Sequence, residues 1–316
     1  MIRSRRGAVA LASCALALLA GQAVLAQTTP RPAARAPKPT PSKPSPSKPA
    51  SAPATAAKPA PALAVGQCLP RYAMIGAPRV RGGDAEAQQR EICLPGYMAS
   101  FNIGTQNPDW VIHRIKPDSL GGAAKRGNKF LHLDSLPNSP YAGDYADKNT
   151  PRDRGHQAPA ADFGANQALM DLSFEMINMS PQVGLGFNRG QWRLLEEDVR
   201  AAVLCGGHKD VIVMTGPIYG ASNTWVTSRS GRKILSPAAY YKILYDVDTG
   251  RAVGYRLENK AYVKTRLDTF IVPISQIEDE TGIDFMPALT RRTQNQIETS
   301  KGAYWGHGQS CKNVGD

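Results

Sequence analysis

Apolar residues cluster and thin out along this 316-residue chain in a way that outlines its elements. Two apolar runs, 97–105 and 110–115, flank a turn signal at Gln106-Asn107-Pro108-Asp109 and predict a β-hairpin. From 116 to 151 the apolar signal gives way to Gly, Asn, Asp and Pro, a long loop region of the kind that carries binding groups. Helical spacing follows over 166–176 and over 190–204. In the second stretch Trp192, Leu195, Val199 and Ala202 or Val203 fall at i, i+3, i+7 and i+10 or i+11, and Gly206-Gly207 is a stop signal. Residues 210–215 read as a buried strand ended by Gly216-Pro217, and 239–245 with 252–258 as a hairpin around Asp248-Thr249-Gly250. A strand near 270–273 and a short helix over 275–281 complete the pattern. The class is α+β: a central mixed or antiparallel sheet with packed helices. The chain contains no internal repeat, P-loop or GxGxxG.

Composition divides the chain before that pattern starts. Residues 1–26 carry Arg3, Arg5 and Arg6, an apolar run to Ala20 and Val24-Leu25-Ala26 ahead of Gln27, which predicts a secretory signal peptide and a periplasmic or secreted protein. The run is broken by Gly21 and Gln22 and is shorter than the roughly 20 residues of a spanning helix, so no stable membrane insertion is expected. Leu11-Ala12-Ser13-Cys14 offers an alternative, a lipoprotein anchored at Cys14, although the apolar run continues past Cys14 where a lipobox would close it. Residues 27–66 are almost wholly Pro, Ala, Ser, Thr and Lys and predict a disordered, partly polyproline II tether ahead of a domain over 67–316.

Of the net +12, three charges belong to the leader arginines and six to Arg31, Arg35, Lys38, Lys43, Lys48 and Lys58, leaving +3 for the rest. A pI near 9.6 therefore does not imply a broad basic face on the domain, which must hold any phosphate locally. Beyond the leader stand Cys68, Cys93, Cys205 and Cys311, with no CxxC pair. An even number favours two disulfides. Of the three possible pairings, Cys68–Cys93 closes a local loop and Cys205–Cys311 ties down the C-terminus, so these are preferred.

The sharpest pattern is Asp153-Arg154-Gly155-His156-Gln157-Ala158-Pro159, then Asn178-Met179-Ser180-Pro181-Gln182, then Asn188, Trp192 and Glu196. This ordered set resembles the DNA/RNA non-specific endonucleases of the ββα-metal, or His-Me finger, fold, a group that includes secreted bacterial nucleases and mitochondrial endonuclease G. The resemblance spans about 97–284, and Thr215-Gly216-Pro217-Ile218-Tyr219 is similar to a later strand of that family. It implies a sugar-non-specific endonuclease that hydrolyses DNA and RNA with Mg2+, or Mn2+ in its place, to give 5′-phosphate ends. A homodimer is one option for its assembly.

Phosphodiester hydrolysis needs a base for water, a cation to offset transition-state charge and a means to protonate the leaving alkoxide. The resemblance makes His156 the general base and Asn188, in the N-x-x-x-W pattern, the metal ligand. An imidazole is largely neutral at physiological pH, and a neutral amide oxygen plus water suits Mg2+, which sheds its hydration reluctantly. Arg154 matches an arginine near the scissile phosphate, Gly155 lets the backbone turn, and Asp153 braces the loop. Glu196 matches an acid that acts on the cation through water. In a continuous helix its eight-residue offset from Asn188 is about 12 Å of rise. Either Glu196 acts at one remove from the metal, or Asn188 lies in a bent lead-in. Asn178 and Gln182 match a polar pair contacting substrate, although this chain has one extra residue within 183–187. Among Lys125, Arg126 and Lys129, Arg126 is assigned to a phosphate.

Taken singly, these residues have plainer readings. A lone His in a Gly-containing loop is more often structural than catalytic, and Glu196 unsupported would be a solvated helix residue. His113 and His132 read as structural, His208 and His307 as surface turns, and Trp192 as core. Two other functions compete: a phosphodiesterase or pyrophosphatase acting on small nucleotides, and a non-catalytic binder of extracellular DNA.

Overall fold

Strands with apolar side chains on both faces dominate the fold, described for residues 62–82, 88–147, 149–306 and 311 by a computed structural model. The strands are β1 (Arg79–Val80), β2 (Gln89–Cys93), β3 (Tyr97–Asn102), β4 (Asn107–Ile115), β5 (Asp153–His156), β6 (Met179–Gln182) and β7 (Val211–Ile218). They continue with β8 (Thr224–Thr227), β9 (Lys233–Ser236), β10 (Ala239–Asp246), β11 (Ala252–Glu258), β12 (Ile271–Val272) and β13 (Ile283–Asp284). A seven-stranded sheet runs β12-β11-β10-β7-β4-β3-β2, with every neighbouring pair antiparallel. Of the two sheet types the sequence leaves open, this is the antiparallel one.

Both faces are covered, which is why β7 is buried at every position. On one face Ile112, Ile212, Met214 and Ile243 pack with Tyr72, Ile274 and Phe285. On the other, Val211, Val213, Tyr240 and Leu244 pack with Trp192, Leu195 and Val199 of the amphipathic stretch. The helices are α1 (Gln167–Leu172), α2 (Arg193–Leu204), α3 (Ile274–Thr281) and α4 (Arg291–Glu298).

Several boundaries differ from the sequence reading. Gly216-Pro217 does not stop β7; both residues pair with β10, at Tyr241 and Tyr240. A side chain at Gly216 would meet Asp109 O at 2.3 Å and the Tyr241 hydroxyl at 2.5 Å, so glycine is required by close approach. Asn107, Pro108 and Asp109 belong to β4, and the hairpin turns earlier, with Gln106 in the left-handed region at φ 59°. The helix expected over 166–176 ends at Leu172. Asn166 caps its start by accepting from Leu169 N (3.1 Å), and Ser173 closes its end by bonding to Met170 O (2.6 Å). The helix expected from 190 begins at Arg193, because Gly190 has dihedrals of −135° and −108°. The hairpin β8–β9, the edge strand β2, the ribbon β5–β6 and α4 were not anticipated.

Leu63, placed in the tether by composition, donates its backbone N–H to Cys93 O (2.8 Å). With Val65 it packs on the core, so ordered chain begins before 67. The leader, residues 27–61 of the tether and His307 lie outside the described residues. The disulfides are Cys68–Cys93 and Cys205–Cys311.

Candidate active site

DRGH is a strand, not a loop. β5 pairs antiparallel with β6, Gly155 opposite Ser180 and His156 opposite Met179. Ser180 anchors this ribbon to the sheet, donating to Asn107 Oδ1 (2.7 Å) and lying 2.8 Å from the Tyr240 hydroxyl. Gly155 is needed for room rather than for a turn: a Cβ there would sit 2.1 Å from Gln182 Oε1. The ribbon and α2 together form a ββα unit around one cleft of about 480 Å3.

His156, Arg154, Arg126, Asn188 and Glu196 all line that cleft. His156 is 8% exposed, and its Nε2 has no hydrogen-bond partner among the described residues. Its ring stands edge-on to Phe174, centroids 4.8 Å apart. Burial, reinforced by the charges of Arg126 and Arg154, pushes its pKa down to about 3, so the imidazole is neutral and a proton acceptor throughout the physiological range. The arginines are held by their flat faces. The Arg154 guanidinium lies 4.0 Å from the Phe130 ring centroid and donates from Nη1 to Ala142 O (3.1 Å), and that of Arg126 lies 5.5 Å from Phe174. A guanidinium packed this way keeps in-plane donors available for an oxyanion.

Asn188 sits in an irregular lead-in, Gly184–Trp192, whose backbone leaves helical geometry at Leu185, Gly186 and Gly190. This is the bent approach that lets Asn188 and Glu196 reach the same cleft despite their spacing. Asp153 accepts a hydrogen bond from Asn188 Nδ2 (2.9 Å) and pairs with Arg189 Nε (2.9 Å). With Nδ2 committed, Asn188 presents its amide oxygen as the remaining donor atom, which fits a hard cation such as Mg2+. Among the described residues no group of three His, Cys, Asp or Glu side chains could hold a metal, so water would complete the coordination of such an ion.

Comparison with known proteins follows the same motif. The family model for DNA/RNA non-specific endonucleases matches residues 78–292. The chain belongs to the DNA/RNA non-specific endonuclease family. This endonuclease-family chain is 32% identical over 210 residues to the mitochondrial nuclease of Saccharomyces cerevisiae, an alignment covering 60% of this chain and 63% of that relative's length, under two thirds. It is 28% identical over 252 residues to mitochondrial endonuclease G of Bos taurus, covering 71% of this chain and 82% of that relative. A crystal structure of EndoG in complex with its inhibitor EndoGI superposes with a TM-score of 0.55 at 24% identity, covering 72% of this chain and 94% of that one, and shows the fold.

The expected periplasmic or secreted location, with Cys14 anchoring as its variant, is overturned by these relatives, which are named as mitochondrial nucleases. Arginines without acidic residues at an N-terminus do not discriminate between export and organelle targeting, since both kinds of leader are basic.

Asn178 and Gln182, assigned to substrate from the sequence, are fully buried and do not line the cleft. Asn178 latches the ribbon instead, accepting from Ala158 N (2.8 Å) and donating to Ala158 O (2.9 Å) and Ser173 O (2.7 Å). Gln182 packs beneath Gly155. Of the three upstream cations Arg126 lines the cleft; Lys125 and Lys129 do not. His208 is not a surface residue: it lies 2.7 Å from Asp246 Oδ2 and stacks on Trp305 at 4.1 Å. Arg152, Arg189, Arg193, Phe130 and Phe174 were missed. Each ring supports an arginine distant from it in sequence, Phe130 under Arg154 and Phe174 under Arg126, so no local pattern marks the aromatic support.

Proposed function

We propose that this chain is a metal-dependent endonuclease that hydrolyses phosphodiester bonds of both DNA and RNA, with His156 as general base and Asn188 as metal ligand. The observation that carries this reading is the convergence of a neutral, partner-free His156 Nε2, two aromatic-backed arginines and an oriented amide oxygen in one cleft.

His156 accepts the proton of the attacking water at Nε2, and the anionic phosphate between Arg126 and Arg154 favours the imidazolium that results. Arg154 and Arg126 bind non-bridging phosphate oxygens and stabilise the charge that builds there. Asn188 would hold Mg2+, or Mn2+ on the same oxygen donor, with Asp153 fixing its amide. Bound there, the ion would supply Lewis-acid chemistry that offsets the developing charge, and the 3′ oxygen, whose bond to phosphorus breaks, takes its proton from water in the cleft. Glu196, at the cleft edge, accepts hydrogen bonds from water in the same place. Contacts confined to phosphate carry no base information, so cleavage is indifferent to sequence. No residue is required to read or exclude a 2′-hydroxyl.

The test is digestion of plasmid, single-stranded DNA and RNA, with Mg2+ and with EDTA, followed by end-group analysis. The expected result is cleavage of all three only with metal, leaving 5′-phosphate and 3′-hydroxyl ends. Inertness toward DNA, 2′,3′-cyclic ends on RNA, or cleavage of dinucleotide pyrophosphates alone would overturn the reading.

A further inference from the structure

Lys242 interrupts an apolar face. β10 directs Tyr240, Lys242 and Leu244 to the side covered by α2, and Lys242 is 1% exposed. Its register partner on β7 is Thr215, also buried, and Nζ donates to Thr215 Oγ1 at 2.8 Å. An ammonium taken out of water needs an anion nearby, because the cost of burying it unpaired is several kcal/mol.

The stripe of α2 above it shows which anion is near. Trp192, Glu196 and Arg200 lie at i, i+4 and i+8, on one side of the helix. Lys242 Nζ is 5.0 Å from the Trp192 ring centroid. Arg200, 3% exposed, donates from Nη1 to Asp162 Oδ1 (3.1 Å), and the other oxygen of Asp162 lies 2.8 Å from His113 Nε2. Asp162 is thus engaged by Arg200 and His113. Glu196, one helical turn from Trp192 on the same side, is an anion whose charge, like that of Asp162, favours the ammonium of Lys242. It is also the only residue of the stripe that lines the cleft.

We propose that Lys242 is a positioning residue: from beneath the sheet–helix interface its ammonium holds the Glu196 carboxylate at the cleft edge, aimed at the water around the ion on Asn188. This rests on the role given to Glu196 above. Lys242 touches neither substrate nor metal, so its effect must pass through Glu196. Residues that orient the immediate surroundings of a metal typically account for roughly 10- to 100-fold in affinity or activity.

The experiment measures Mn2+ binding without substrate, by electron paramagnetic resonance of the free ion, in the parent protein, Lys242→Met, Glu196→Gln and the double variant. Circular dichroism checks folding and cleavage rates are taken in parallel. The expected result is a loss of Mn2+ affinity of roughly 10- to 100-fold in each single variant, no further loss in the double, and partial recovery in Lys242→Arg. Parent-like binding in folded Lys242→Met, or losses that multiply in the double variant, overturns the inference while leaving the role of Glu196 intact. Parent-like binding in Glu196→Gln overturns both. If Lys242→Met does not fold, Thr215→Val removes the hydroxyl that seats Nζ without removing a charge. A smaller loss that vanishes in the Glu196→Gln background is then expected, and unaltered binding overturns the inference.

Discussion

At the scale of single residues, His156 owes its character to its neighbours. Imidazole ordinarily titrates near 6.5; burial against Phe174 and the charges of Arg126 and Arg154 lower this to about 3. Between those values the unfolded chain binds a proton that the native state does not, so stability falls as pH drops from about 6.5 toward 3. Burial raises Glu175 and Glu298 to about 7, and these act oppositely, costing stability as pH rises from about 4.5 to 7. Comparison with His156→Gln isolates the histidine. Between pH 6.5 and 5 the parent should lose on the order of 1.4 kcal/mol more per pH unit than the variant, read by denaturant unfolding. Parallel pH profiles would show that His156 is not held neutral. The same lowering predicts that the acid limb of kcat/KM is not set by a free-enzyme pKa near 6.5.

At the scale of elements, periodicity was informative where an element is long and one-sided. The amphipathic α2 was legible because a single face decides which residues are apolar, and the β10–β11 hairpin because two runs buried on both faces flank its Asp-Thr-Gly turn. β5 and β6 were not: they are four residues each, contain Gly155 or Pro181, and are held by Ser180 and Asn178 bonds to distant segments that local pattern does not encode. Gly216-Pro217 misled for a related reason, since a glycine can mark close approach inside a strand as well as a stop. Gly216→Ala should therefore be destabilising although it lies outside the cleft. The added methyl meets a backbone carbonyl and the Tyr241 hydroxyl, whose own bond to Asp109 O (3.0 Å) would be displaced, for a loss of roughly 1–3 kcal/mol in chemical denaturation. A neutral or stabilising substitution would mean that β7 and β10 are not this closely packed.

At the scale of the whole molecule, the site was legible as far as its residues are contiguous or in fixed order. The DRGH strand, Asn188 and Glu196 could be picked out, whereas Phe130, Phe174 and Lys242 come from segments whose approach only the fold specifies. Charge follows the same division. The chain beyond 66 carries only +3, yet the cleft gathers Arg126, Arg152, Arg154, Arg189 and Arg193 against Asp153 and Glu196, so positive charge is concentrated around His156. On the proposed assignment, with His156 as proton acceptor and the arginines as the grip, binding and chemistry should be separable. The direct test is single-turnover cleavage of a labelled duplex by His156→Ala in Mg2+, with affinity for the same duplex measured by fluorescence anisotropy. A general base predicts a rate lower by roughly 100- to 10,000-fold with affinity nearly unchanged, and a rate within about tenfold of the parent would contradict the account.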